Sequence, residues 1–71
     1  MSSENVQKIV LAELRDSGVP MTVSQIIEQV RRTHSEFNNV PDFDIRAAIL
    51  AMLSIGAVES TRMNQISARV A

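Results

Sequence analysis

The sequence predicts a mainly α (α+β) domain in which three helices precede a C-terminal two-stranded β-hairpin. Apolar residues recur at helical spacing in three segments, and glycine, proline or asparagine separates one segment from the next. After Gly56 the period of the apolar residues changes to two, which is typical of strands. The 71 residues have room for a single domain, residues 1–71.

The first helix is predicted over about residues 4–16. Ser2 or Ser3 is a suitable N-cap, and Glu4 suits the first turn, where the helix dipole favours an acid. Gly18 suits a left-handed C-cap at the other end. One face of this helix carries apolar side chains three and four positions apart, namely Val6, Ile9, Val10 and Leu14.

The second helix is predicted over about residues 23–34. Pro20 favours extended backbone before it, and Met21 is a candidate for a very short edge strand. Thr22 and Gln25 have the spacing of a capping box, in which each side chain accepts a hydrogen bond from the other residue's backbone N–H. The residues expected to face the core are Ile26, Ile27 and Val30.

A loop is predicted over residues 35–42, because Pro41 prevents one continuous helix. We expect Phe37 or Val40 to reach the core from this loop.

The third helix is predicted over about residues 43–55. Asp42 is the expected N-cap, Asp44 lies in the first turn, and Gly56 is the expected C-cap. Its buried stripe is predicted to consist of Ile45, Ala48, Ile49, Met52 and Leu53.

A β-hairpin is predicted over about residues 57–70. Its turn is expected at residues 63–64 or 64–65, because Asn64 tolerates the positive φ that tight hairpin turns require. Residues of the first strand alternate through Val58, Ser60 and Arg62, and those of the second alternate through Ile66, Ala68 and Val70.

This order of elements resembles the winged helix-turn-helix superfamily over residues 4–70. The segment 18–27, Gly-Val-Pro-Met-Thr-Val-Ser-Gln-Ile-Ile, is similar to the turn between helices one and two in the HARE-HTH group of winged helices. A second segment resembles the superfamily's third helix and its entry to the wing. It has the pattern Ile45-x-x-Ala48-Ile49-x-x-x-Leu53-x-x-Gly56-x-Val58.

In winged helices that bind DNA, the third helix enters the major groove and the wing reaches the backbone or the minor groove. The resemblance therefore implies a transcription regulator or accessory factor that binds double-stranded DNA. Arg46 and Ser54 are the base-edge candidates, and arginine can bond guanine bidentately. The phosphate-contact candidates carry side-chain donors and are Ser24, Gln25, Arg31, Arg32, Arg62, Asn64 and Gln65.

The charge distribution limits how strongly one copy could hold DNA. The net charge is −1, and Asp42 and Asp44 lie at the start of helix three. Because phosphate contacts dominate affinity, we expect a homodimer, which doubles the electrostatic attraction. Arg31 and Arg32 also have a purely structural explanation, since cations are favoured near the C-terminal end of a helix.

An alternative function uses the same helix without DNA. Ala47, Leu50 and Ala51 would form a small apolar surface on helix three. Such a surface fits a protein-interaction or dimerisation module, and another helix could approach closely because two of the side chains are alanines.

The composition argues against several other classes of protein. There is no cysteine, and His34 is the only histidine, so we expect no enzyme, no metal site and no cofactor. No apolar run approaches the roughly 20 residues that span a bilayer. Residues 1–5 lack the features of a signal peptide. We therefore expect a cytoplasmic protein without a membrane partner.

Overall fold

A computed structural model of the protein describes residues 3–61 and 63–68. Within them lie three α-helices, one 3-10 helix and a two-stranded antiparallel sheet, which confirms the predicted α+β class and its winged-helix-like layout. The elements are α1 (Ser3–Ser17), α2 (Val23–Thr33), the 3-10 helix (Ser35–Asn39), α3 (Asp42–Ile55), β1 (Val58–Ser60) and β2 (Ile66–Ala68).

The end of α1 is shaped by Gly18, whose φ of +66° lies in the left-handed region. Its N–H donates to the carbonyl of Leu14 at 3.3 Å, so one of the last carbonyls of the helix has a partner. The hydroxyl of Ser17 donates to the same carbonyl at 3.0 Å. The predicted glycine C-cap is therefore confirmed. At the other end, Ser3 is already helical and is therefore not the N-cap, while Ser2 lies outside the described residues.

The predicted capping box begins α2. Gln25 N–H donates to Thr22 Oγ1 at 3.1 Å, and Thr22 N–H donates to Gln25 Oε1 at 2.9 Å. Both bonds satisfy backbone donors that the first turn of a helix leaves without partners.

Residues 35–39 were predicted as part of a loop, which is wrong in detail because they form the 3-10 helix. The N–H of Phe37 donates to the carbonyl of His34, and the N–H of Val40 donates to the carbonyl of Phe37. This tight turn directs Phe37 into the core, where it is 0% exposed, while Val40 is half-buried.

The expected N-cap of α3 is also wrong. Pro41 is the capping residue, and its carbonyl accepts the N–H groups of Asp44 and Ile45 at 3.0 and 3.4 Å. Asp42 is already helical, so its carboxylate does not cap and instead forms an ion pair with Arg31. The restricted φ of proline suits extended backbone at this position, which starts the helix one residue early.

Gly56 ends α3 in a left-handed conformation, with φ +78°, as predicted. The N–H of Gly56 donates to Leu53, and that of Ala57 donates to Met52 at 2.9 Å. These bonds turn the chain sharply into β1. Leu53 itself was expected in the core but is only half-buried at its edge.

The hairpin pairs β1 with β2 so that Val58 lies opposite Ala68 and Ser60 lies opposite Ile66. Asn64 has a φ of +57° in the turn, as predicted. Met21 forms a single antiparallel bridge to Ile66, which confirms a minimal edge strand. Arg62 and Val70, which were predicted to belong to the two strands, lie outside the described residues.

One hydrophobic core joins the three helices to the hairpin. Its buried apolar residues are Val6, Val10, Leu14, Ile26, Ile27, Val30, Phe37, Ile45, Ala48, Ile49, Met52, Val58 and Ile66. Every element described above except the Met21 bridge contributes at least one of them, so no helix is an independent unit.

Replacing Phe37 by alanine should lower the free energy of unfolding by about 3–5 kcal/mol, because it leaves a cavity where the 3-10 helix meets the core. Urea denaturation followed by circular dichroism measures this loss. Met63→Ala is the matched control, since Met63 is 77% exposed and its truncation should change stability by less than about 0.5 kcal/mol. Equal losses in both variants would contradict the assigned core.

Candidate functional site

Helix α3 has apolar residues on two opposite faces. The inner face contributes Ile45, Ala48, Ile49 and Met52 to the core, each no more than 2% exposed. The opposite face exposes residues spaced four, three and four positions apart, which places them in one row on a helix. We call this row the outer stripe, and it consists of Phe43, Ala47, Leu50 and Ser54.

The two largest side chains of the outer stripe are apolar. Phe43 is 77% exposed and Leu50 is 64% exposed. Ala47 lies exposed between them, and Ala51 is half-buried at one side. A helix with apolar residues all round is normally buried all round. Large apolar side chains aligned on one exposed face therefore mark a surface that another molecule can cover.

Phe43 was missing from the sequence-based set of interaction residues. The signal was present, since Phe43 precedes Ala47 by four residues and Leu50 by seven. It was overlooked because it follows the expected cap directly, where side-chain direction depends on the exact start of the helix.

The two charged residues nearest the outer stripe lie on opposite sides of it. Asp44 and Arg46 are both exposed, one position after and three positions after Phe43. At 100° per residue, they flank the stripe on either side. Among the described residues Arg46 makes no salt bridge, so its guanidinium is available to a partner.

Arg31 has a structural role that competes with phosphate binding. Its Nη2 donates to the carbonyl of Val40 at 2.8 Å and lies 2.6 Å from Oδ1 of Asp42. The side chain is only about a third exposed, and its Nε is buried without a hydrogen-bond partner among the described residues. Arg31 thus ties the C-terminal half of α2 to the start of α3.

Arg32 forms a different kind of pair. Its Nη2 lies 3.1 Å from Oε1 of Glu28, one helical turn earlier on the exposed side of α2. Exposed pairs of this spacing are weak, so Arg32 contributes little to stability. Its positive charge is nevertheless offset locally by the carboxylate.

The predicted DNA-contacting residues fall into separate groups. A groove of about 280 Å³ between α2 and α3 brings Ser24, Arg31 and Arg46 together, but Glu28 and Asp42 line it as well. A second groove of about 450 Å³ on the other side of α2 is lined by Gln25, Arg32 and Gln65, among other residues. Ser54 lies in the outer stripe and Asn64 in the hairpin turn, while Arg62 is outside the described residues.

A polar cluster at the end of α2 was not predicted. His34 lies half-buried, with Nε2 3.5 Å from Glu13 Oε1 and Nδ1 3.8 Å from Glu36 Oε1. The Thr33 hydroxyl donates to the same Glu13 oxygen at 2.7 Å. These contacts join α1 to the end of α2. In the part of the chain that the structure describes, no group of three or more histidines and acids is suited to a metal ion.

Comparisons of the chain with protein-family profiles, with curated proteins and with solved structures found no significant match. Within residues 3–61 and 63–68, none of the helices has the length and apolar character needed to cross a bilayer.

Arg31→Met should lower the free energy of unfolding by about 1–3 kcal/mol, because the apolar stem is kept while the bonds to Val40 and Asp42 are lost. Arg32→Met is the matched control and should change stability by less than about 0.5 kcal/mol. Parallel urea titrations of the two variants measure the difference. If Arg32→Met were the more damaging change, the structural role of Arg31 would be refuted.

Proposed function

We propose that this protein is a small interaction module that docks on another polypeptide through the outer stripe of α3. The observation that carries this proposal is the exposure of Phe43 and Leu50 on a helix whose opposite face already forms the core. No other described helix exposes two large apolar side chains on one face.

The chemistry of the outer stripe suits a protein surface. Fully burying a phenylalanine or leucine side chain is worth about 1.5–3 kcal/mol, so Phe43 and Leu50 can act as anchors. Ala47 lies between them and permits close approach of a partner's backbone. Asp44 and Arg46 border the stripe, which matches the polar rim that surrounds the apolar centre of many interfaces.

A small domain gains stability from any bound partner. A domain of about 60–70 residues buries only about 60% of its unfolded surface and is marginally stable. This chain has no cysteine and therefore no disulfide to compensate. A partner that binds only the folded state would raise its stability by mass action.

A second candidate function is binding of duplex DNA through α3 and the hairpin, in a transcription regulator or accessory factor. The groove that gathers Ser24, Arg31 and Arg46 favours it, since all three side chains can donate to phosphate or base oxygens. The resemblance to winged helices, and to the HARE-HTH group in particular, belongs to this candidate. A cytoplasmic location is part of both candidates.

Several features weaken the DNA candidate relative to the first. Arg31 already forms an ion pair with Asp42. The carboxylates of Glu28 and Asp42 line the same groove and would repel phosphates. The net charge of the chain is also −1. Three of the four residues in the outer stripe, Phe43, Ala47 and Leu50, could offer the major groove contacts to thymine methyl groups but no hydrogen bonds to base edges. Only Ser54 in this row could form such a bond.

Photo-crosslinking tests the first candidate in the cells that produce the protein. A photoreactive benzoylphenylalanine in place of Phe43 should yield a protein adduct on irradiation, because that position lies in the proposed contact. The matched control carries the same residue in place of Val19, which is also exposed but lies outside α3, and should yield none. Absence of every adduct at the Phe43 position would refute docking through the outer stripe.

An electrophoretic mobility shift assay distinguishes the second candidate function, DNA binding, from protein docking. With random-sequence duplexes and the promoter DNA of its own gene at low salt, we expect no shift, because two of the three described cations on α2 and α3, Arg31 and Arg32, are paired with carboxylates. A shift that disappears as salt rises and is weakened by Arg46→Ala would instead support DNA binding. Arg15→Ala, an exposed change on α1, is the charge-matched control.

A further inference from the structure

We infer that the partner on the outer stripe is a second copy of this chain, whose α3 packs antiparallel to the first about a two-fold axis. This inference rests on the proposed function, because it names the partner of the same surface. It is carried by the order of side-chain sizes along α3 and by the charges beside them.

The spacing of the outer stripe is that of a helix-pairing seam. Steps of four, three and four residues from Phe43 to Ser54 correspond to the d, a, d and a positions of a heptad pattern. The core residues of α3 occupy other heptad positions, on the opposite face. Two copies of α3 can therefore pair without disturbing the core of either one.

The sizes of the four side chains alternate from large to small. Phe43 is followed by Ala47, and Leu50 is followed by Ser54. When the row is reversed, as in an antiparallel copy, the order becomes small, large, small, large. Phe43 then lies opposite Ser54 of the second copy, and Ala47 lies opposite Leu50 of the second copy. Each large side chain faces a small one, which is the arrangement that fills space between two helices.

Parallel pairing fits the same row poorly. It would place Phe43 against its own equivalent and Ala47 against its own equivalent in a symmetric dimer. Two phenylalanine side chains facing each other would be crowded, and two alanines facing each other would leave a gap. Both defects would destabilise the packing of the two helices. The size order therefore favours the antiparallel arrangement.

The flanking charges are compatible with the antiparallel register. In such a pair each side of one helix faces the same side of the other. Asp44 then lies near Ala51 of the second copy, and Arg46 lies near Leu53 of the second copy. No like charges meet, so self-association carries no electrostatic penalty along this seam.

The length of α3 limits how tightly the two copies can bind each other. The helix runs only from Asp42 to Ile55, so the seam spans about three turns. A contact of this size lies at the small end of specific interfaces. We expect a reversible dimer with a dissociation constant on the order of micromolar, equivalent to about −8 kcal/mol.

Two substitutions of opposite charge at Ala51 test whether the dimer forms through α3 and whether the two helices pair antiparallel or parallel. In the antiparallel pair Ala51→Lys creates two contacts with Asp44, one across each side of the two-fold axis, and should tighten the dimer by about threefold to tenfold. Ala51→Asp should weaken it by a similar factor. In a parallel pair Ala51 would lie near Arg46 instead, so the two effects would be exchanged. Sedimentation equilibrium of both variants and the wild type measures the dissociation constants.

Leu50→Asp provides the loss-of-contact variant, with Ala12→Asp on the exposed side of α1 as its charge-matched control. The first should shift the dimer to monomer and the second should not. Circular dichroism and urea titration verify that each variant is folded, and the Ala51 pair keeps the test decisive if Leu50→Asp fails to fold.

The outcomes separate the two proposals. Exchanged effects at Ala51, or a dimer unaffected by Leu50→Asp, would overturn the antiparallel α3 contact. A monomer at every concentration, with a heterologous adduct in the photo-crosslinking experiment, would overturn self-association while docking through the stripe survives. Absence of both dimer and adduct would remove the proposed function itself.

Discussion

The hydrophobic core of the domain forms around the buried inner face of α3. Ile45, Ile49 and Met52 are at most 1% exposed, and the helix contacts α1, α2 and β1. Apolar burial contributes about 25 cal/mol per Å² and is the main stabilising term for a chain without disulfides. Phe37 fills the core from the 3-10 helix, so even the connection between α2 and α3 has a structural role.

Polar contacts at the helix ends determine how the chain passes between these buried elements. The Thr22–Gln25 capping box starts α2, and the left-handed Gly56 ends α3 and aims the chain into β1. Arg31 links α2 to the first residue of α3, while Thr33 and His34 lie against Glu13 of α1. These contacts fix the relative positions of the helix ends. The pairing of Arg31 with Asp42 also places an acid and a base together in the groove between α2 and α3.

The second apolar face of α3 connects this architecture to function. A helix that contributes one face to a small core is normally polar on the other, because water covers that side. Here Phe43 and Leu50 remain exposed. Of the cations predicted to contact DNA, the three that the structure describes, Arg31, Arg32 and Arg46, are divided between two grooves, and the first two are paired with carboxylates. The same helix cannot present this face to a protein and to the major groove at once. Its apolar composition is the physical reason to place protein docking first.

Local sequence patterns were enough to predict the three helices, the capping box, the left-handed glycines, the Asn64 turn and nearly all of the helical core residues. These features depend on residues a few positions apart, where periodicity and backbone hydrogen bonding act locally. Other features depend on how whole elements pack. Packing of α2 against α3 brings Arg31 to Asp42, which no local pattern predicts. Spacing aligns Phe43 with Leu50, but the exposure of both side chains follows from the packing of the opposite face of α3. Contacts of this kind join residues distant in sequence, so their partners are set by the arrangement of whole elements and not by local pattern.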